Sequence, residues 1–279
     1  MDISIFDTLE QEIHTIPQLL YNNREHAGEQ MANLFQEDGT VYKISYDEML
    51  QRVECIAIGL LKLNIMKGDR IAFIGTPSAR MLWVDLGVMC TGAISIPLQN
   101  EEYTVDLREL ARHANLKAVV VDRAEQVEFV KQISIPHLQY IICLERGYRG
   151  DGFHTFGAGE LYYMGKISYE TLMPALQERI DSIDGVDPAI LFYPPKWDGR
   201  SKPALYTHKF VLSTCSKAMR YLYNLGESLG NHELFNVSTA PMEHFLGGMQ
   251  AYLWPLIVTG CLDFVTAAKD KKTYQVYSN

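Results

Sequence analysis

Two short runs, Arg70-Ile71-Ala72-Phe73-Ile74-Gly75 and Ala118-Val119-Val120-Val121-Asp122, decide the fold. Neither alternates apolar with polar residues, so neither suits a strand with one wet face. Unbroken apolar runs of this length suit strands covered on both sides within a parallel sheet. Working outward, Ala93–Leu98 and Leu138–Cys143 read the same way. Between them lie helical patterns: one after Thr76-Pro77-Ser78 that carries Met81, Leu82, Leu86, Val88 and Met89 and closes at Gly92, then Leu107–His113 and Glu125–Gln132. Strands alternating with helices of this length predict an α/β fold, a doubly wound and mostly parallel sheet flanked by helices.

Before this region, residues 16–32 read as a helix, and two short strand-like pieces come next, around Met31–Gln36 and Val41–Ile44. Asp38-Gly39 between them is a hairpin signal. Ser45 with Glu48 three residues on makes a capping box, and Met49, Val53, Ile56, Leu60 and Leu61 follow on one helical stripe. Residues 146–166 are Gly-rich with aromatics between, the pattern of a surface loop or hairpin, and Gly157-Ala158-Gly159 has no strand directly before it to make a dinucleotide fingerprint. Ser168–Ile180 and Phe210–Leu225 read as helices, Asp187–Tyr193 and Asn236–Ala240 as strands, Gly247–Val258 as a helix and Cys261–Val265 as a last strand. The expected division is a first α/β subdomain over 1–186 and a second beginning at 187–279.

Composition narrows the function classes. The chain has 279 residues, 47% of them hydrophobic, enough for a full core, and at roughly 150 residues per domain it holds one large domain or two small ones. A net charge of −9 argues against a nucleic-acid partner, which needs a basic face. Cys55, Cys90, Cys143, Cys215 and Cys261 are widely scattered in apolar surroundings, with no metal-ligand spacing, so buried free thiols in a reducing compartment and no metal site are expected. With neither a basic, apolar leader nor an 18-residue apolar stretch, a cytoplasmic location without a transmembrane segment is expected.

Asp187-Pro188-Ala189-Ile190-Leu191-Phe192-Tyr193 runs into Pro194-Pro195-Lys196-Trp197-Asp198-Gly199-Arg200-Ser201-Lys202-Pro203, and Thr207-His208 follows. This segment resembles the AMP-binding, adenylate-forming superfamily, above all the N-terminal part of long-chain acyl-CoA synthetases (fatty-acid–CoA ligases). Their phosphate loop, Tyr-Thr-Ser-Gly-Thr-Thr-Gly-x-Pro-Lys-Gly-x-x-x-Thr-His, lies over Tyr193 to His208 without a gap. Tyr193, Gly199, Lys202, Thr207 and His208 coincide with it. Ile44-Ser45-Tyr46-Asp47-Glu48, Lys67-Gly68-Asp69-Arg70-Ile71-Ala72, Gly92-Ala93-Ile94-Ser95-Ile96-Pro97 and Ala240-Pro241-Met242-Glu243-His244-Phe245-Leu246-Gly247-Gly248 are similar to further family segments, in the family's order.

The resemblance implies ATP with Mg²⁺ and CoA as cofactors, and a reaction in which a fatty or other carboxylic acid becomes an acyl-adenylate and then an acyl-CoA. It implies Tyr193, Gly199, Arg200, Lys202, Thr207 and His208 at the nucleotide phosphates, and Met242, His244, Phe245 and Gly247 at the acyl and adenylate pocket. It names no catalytic residue in this chain, because the adenine-gripping segment, the ribose-binding Asp and the C-terminal lid domain with its catalytic Lys are expected beyond residue 279.

The departures bear on chemistry. Where the family has Thr-Ser-Gly-Thr-Thr, this chain has Pro194-Pro195-Lys196-Trp197-Asp198. The two prolines delete two N–H donors, Lys196 and Trp197 bring bulk to where backbone should meet phosphate, and Asp198 adds a repelling charge. Lys196, Arg200 and Lys202 supply positive charge for weak anion binding, but efficient ATP cradling is not expected. Three functions stay open: part of a ligase completed by a C-terminal partner chain, a pseudoenzyme that binds a lipid or acyl group, and a scaffold that forms a homodimer. They are separated by ATP binding, by fatty-acid binding alone, and by ligand-free dimerisation.

Overall fold

The structure is a computed structural model that describes residues 11–76, 78–98, 107–133, 135, 137–194, 202–229, 253, 256, 257, 261–263 and 275–277. Two compact units share the chain: residues 1–51, 184–186 and 207–279 form the first, and 52–183 with 187–206 the second.

In the first unit, helix α1 (Ile16–Ala27) starts at a capping box. The Gln18 amide donates to Thr15 Oγ1 (3.2 Å) while the Thr15 amide donates to Gln18 Oε1 (3.1 Å), so two orphan donors of the first turn are satisfied. The helix buries Ile16, Leu19 and Leu20, and the buried Asn23 donates through Nδ2 to the Leu256 carbonyl at 2.6 Å. Strands β1 (Met31–Glu37) and β2 (Thr40–Ser45) pair antiparallel. Asp38 and Gly39 turn between them at φ 48° and 77°, the left-handed pair that matches the twist of a two-residue hairpin. The helix expected over 16–32 therefore stops at Ala27, and Met31 opens a strand.

Helix α2 (Tyr46–Lys62) begins with the expected capping box: the Glu48 amide donates to Ser45 Oγ (3.2 Å) and the Ser45 amide to Glu48 Oε2 (3.1 Å).

The second unit is a seven-stranded sheet. Its strands are β3 (Arg70–Ile74), β4 (Ile94–Leu98), β5 (Leu116–Val121), β6 (Tyr140–Cys143), β7 (Thr155–Gly157), β8 (Pro188–Phe192) and β9 (Ala204–Thr207), in the spatial order β7-β6-β5-β3-β4-β8-β9. The β3/β4, β3/β5, β4/β8, β5/β6 and β6/β7 pairs are parallel. Helices α3 (Ala79–Cys90), α4 (Leu107–Ala114), α5 (Ala124–Ile133), α6 (Ala158–Ile167) and α7 (Tyr169–Asp181) intervene. Every residue of α3 except Arg80 is buried. This explains a helix apolar on nearly all sides: it has no solvent face to mark. One core cluster joins Ala72, Val119, Leu110, Val127 and Tyr193.

Glycine sets a helix crossing here. A Cβ on Gly165 of α6 would strike the Cys55 carbonyl oxygen of α2, and one on Gly59 of α2 would strike the Leu161 carbonyl oxygen of α6.

The Gly-rich segment differs from the surface loop expected over 146–166. Residues 155–157 form β7 at the sheet edge and 158–167 form α6. Glu160 is the cause: its Oε2 accepts from the Gly157 amide (2.8 Å) and the Gly150 amide (2.9 Å), capping the helix and tying the loop to it. Asp151 Oδ1 accepts the amides of Phe153, His154 and Thr155 at 2.9, 2.7 and 2.9 Å. Those bonds hold its carboxyl well below the usual carboxylate range. Asp151→Ala should accelerate hydrogen exchange at these three amides by on the order of tenfold while Val119–Val121 stay protected. Unchanged exchange at residues 153–155 would show the loop to be held by Glu160 alone.

β9 runs on into α8 (His208–Leu229), which belongs to the first unit. Strands β10 (Cys261–Asp263) and β11 (Gln275–Tyr277) complete a four-stranded sheet ordered β11-β10-β1-β2, with β10 parallel to β1 and antiparallel to β11. The strand expected over 236–240 and most of the helix expected over 247–258 lie outside the described residues. Cys55, Cys90, Cys143 and Cys215 are free and buried. Burial pushes the thiols of Cys55, Cys90 and Cys143 up, the last to about 11, so they are inert rather than nucleophilic. Among the described residues no helix is long and apolar enough to cross a membrane.

Candidate functional site

The chain leaves β3 toward β4 on one side, then returns to lay β5 against the other side of β3. At such a reversal the connections after neighbouring strands diverge and open a crevice at their carboxyl ends, the usual ligand position in open α/β sheets. Here Gly75 and Thr76 leave β3 and Asp122 leaves β5. The Thr76 amide and hydroxyl both donate to Asp122 Oδ2, at 2.5 and 2.9 Å. Gly75 is the residue that fits: a Cβ there would collide with the Asp122 carboxylate. Burial pushes the Asp122 carboxyl up, and the two Thr76 hydrogen bonds oppose it. Ser78 then caps α3, its Oγ accepting from the Met81 amide at 3.2 Å.

β8 ends at the same edge of the sheet, two strands from β3, or about 10 Å at normal strand spacing. Tyr193 follows it, 5% exposed and packed in the core cluster. Its hydroxyl meets His113 Nδ1 of α4 at 2.7 Å, and the two rings stand edge to face with centroids 5.8 Å apart. Burial pushes the phenol up to about 12, so Tyr193 is neutral at physiological pH. The chain continues through Pro194 and re-enters the described residues at Lys202, which is exposed, before β9. The loop of interest therefore joins two neighbouring strands, β8 and β9, at the carboxyl end of β8.

In the first unit, Thr207 Oγ1 accepts from the Phe210 amide at 3.2 Å and so caps α8. His208 is fully buried, and its Nδ1 accepts from the Ile16 amide at 3.3 Å, bracing the start of α1. Of the four expected phosphate residues that are described, Tyr193, Thr207 and His208 thus direct polar atoms to protein partners, and Lys202 faces solvent. Gly199 and Arg200, and the pocket residues Met242, His244, Phe245 and Gly247, lie outside the described residues. Among the described residues no cluster of His, Cys, Asp and Glu has the makings of a metal site.

Sequence reasoning missed His113 and the Thr76–Asp122 pair. Asp122 had a signal, a single acid closing an otherwise apolar strand. His113 had none, because its partner is 80 residues away.

Comparison with known proteins agrees with this geometry. Residues 22–277 match the family model described as AMP-binding enzyme. A chloroplastic long-chain-fatty-acid–[acyl-carrier-protein] ligase of Arabidopsis thaliana is 24% identical over 221 residues, covering 76% of this chain and 30% of that protein. A long-chain-fatty-acid–CoA ligase of Xenopus laevis is 21% identical over 237 residues, covering 84% and 31%. The chain thus spans about a third of the length of these curated relatives. Among solved structures, the A domain of a carboxylic acid reductase from Segniliparus rugosus, in complex with AMP and a co-purified carboxylic acid, superposes with a TM-score of 0.63 at 18% identity, over 91% of this chain and 46% of that one. A parallel sheet with its strand order reversing at β3, a loop of phosphate-loop spacing leaving β8, and a family match along nearly the whole sequence converge on one assignment: this chain belongs to the AMP-binding enzyme family.

Proposed function

We propose that this chain is an acid-binding member of the family whose phosphate loop no longer cradles ATP efficiently. It contributes a scaffold for a fatty or other carboxylic acid rather than a complete adenylating centre. The observation that carries this reading is the exit from β8. Tyr193 is committed to His113 and the core, and the next residues are Pro194 and Pro195, which offer no N–H to an anion. Trp197 and Asp198 follow where small residues and neutral hydroxyls would suit a polyphosphate. No step through ATP, Mg²⁺ or CoA is assigned to these residues. Lys196, Arg200 and Lys202 leave the loop enough positive charge for a weakly held carboxylate or phosphate.

The ligand class rests on the relatives, named as ligases of long-chain fatty acids, and on the carboxylic acid held by the similar A domain. A second reading is favoured by the share of those relatives that this chain spans: joined by the remainder of the family fold, in the same or a partner chain, it forms one wall of an acyl-activating site.

Calorimetric titration with a long-chain fatty acid and, separately, with Mg-ATP tests the proposal. Saturable binding of the fatty acid with no heat from Mg-ATP is expected. Micromolar Mg-ATP binding overturns the reading of the loop and favours the second reading. Silence from both ligands overturns acid binding and leaves a scaffold.

A further inference from the structure

We propose that Asp85 is a protonation switch built into the packing of α3 on the sheet: holding its proton it lets the helix seat, and releasing the proton loosens that seat. Asp85 sits in the middle of α3 and is 8% exposed. The Ser95 hydroxyl of β4 donates to the carboxyl group, and the other oxygen, Oδ1, is buried with no hydrogen-bond partner. A carboxylate in such a place needs a cation or several donors, and Asp85 has one neutral hydroxyl. A neutral carboxyl asks for much less.

The charged and titratable groups on the elements packed against α3 are engaged elsewhere. Arg52 of α2 stands over the Trp83 ring, 5.0 Å from its centroid. Glu54 of α2 accepts from the Tyr169 hydroxyl at 2.6 Å. Arg179 of α7 donates to the Thr91 carbonyl at 3.2 Å and to Met66 Sδ at 3.8 Å. Cys90, on α3 itself, is a fully buried thiol that burial pushes upward. None supplies Asp85 with a counter-charge. Burial pushes the Asp85 carboxyl up to about 7, against the lowering effect of Ser95.

The seat matters beyond α3. Its N-terminal cap, Ser78, lies two residues after Thr76, so the helix anchors the turn that carries the Thr76–Asp122 pair at the carboxyl edge. Gly87 lets α3 approach α2 until Ile56 would touch any added Cβ at 3.0 Å. Packing this close does not yield gradually, so a charge beneath it acts on the helix as a unit.

The sign follows from linkage. The folded state holds the Asp85 proton more tightly than an unfolded chain does, so the stability it confers is complete below about pH 4 and is lost as pH rises to about 7. Urea unfolding of the wild type and of Asp85→Asn across this window isolates the effect, because other carboxylates titrate alike in both. The ratio of the two unfolding constants is expected to grow about tenfold per pH unit, roughly a thousandfold in all, and to level off above pH 7. Ser95→Ala should shift the plateau to higher pH. Parallel curves for wild type and D85N overturn the proposal. Infrared difference spectra provide a check that needs no change at Asp85. A buried neutral-carboxyl band should disappear on titration through neutrality, and it should be present in Asp122→Asn as well, which removes the other carboxyl among the described residues that burial pushes up. Absence of that band in D122N equally overturns the proposal.

Discussion

Exchanging Pro194-Pro195-Lys196-Trp197-Asp198 for Thr-Ser-Gly-Thr-Thr should tighten Mg-ATP binding by at least about a hundredfold. The exchange returns two backbone N–H donors, adds four side-chain hydroxyls where residues 194–198 have none, and supplies a glycine able to bring backbone close to phosphate. Hydrogen bonds to a charged group contribute about 1.5–3 kcal/mol each, so two new amide contacts alone carry the expected factor. Removing Asp198 takes away a repulsion, and removing Lys196 gives back part of that gain, so the charge change nearly cancels. Donor geometry therefore dominates, and Asp198→Thr alone should recover only a few-fold. The anchor of the loop is left in place: Tyr193 keeps its 2.7 Å bond to His113. Calorimetry of the exchanged chain beside the wild type decides the matter. Equal, weak heats from both would mean that the loop is not what limits nucleotide binding, and the account of Pro194 and Pro195 would fall.

Much of this architecture was legible before the structure, and the legible parts share a property: their signals are local. Asp38-Gly39 announced a hairpin because both residues tolerate positive φ, and both adopt it. Ser45 and Glu48 announced a helix start because the capping partners are three residues apart. The apolar runs at 70–75 and 118–122 announced buried parallel strands because two covered faces leave no polar alternation. What escaped depends on distant partners. Thr155–Gly157 is a strand because β6 offers it an edge, and its own composition says loop. Cys261–Asp263 reads as a strand but carries no sign that it pairs with β1, more than 200 residues earlier. The same limit applies to the site. Lys202, Thr207 and His208 were found through the spacing of a loop motif, yet the spacing could not say that His208 would brace α1 or that Tyr193 would bond His113. Asp85 looked like one polar residue on an apolar helix. Only burial on all sides of α3 turns it into an anomaly.

Gly165→Val should lower stability by about 2–4 kcal/mol, or roughly 5–10 °C in Tm. The cause is backbone against backbone. At Gly165, α6 passes so close to α2 that a Cβ would overlap the Cys55 carbonyl oxygen, and the reciprocal position, Gly59, leaves no room beneath the Leu161 carbonyl oxygen. A flexible side chain in the way could rotate aside, but a carbonyl inside a helix cannot move without taking the helix with it. Valine adds two methyl groups to the offending Cβ, so α6 must lift from α2. Lifting would expose Leu161, which is fully buried, and would disturb β7, whose last residue immediately precedes α6. Gly159, in the first turn of the same helix, has nothing within 4 Å of its Cβ position. Gly159→Ala should therefore raise stability by about 0.5–1 kcal/mol through the entropy of the unfolded chain. Thermal unfolding of the pair separates close packing from helix propensity, since propensity alone would make both substitutions favourable. A Gly165→Val chain that melts at or above the wild-type temperature would show that α6 does not sit on α2 as described. The crossing, and with it the placement of the Gly-rich segment as strand and helix, would then be wrong.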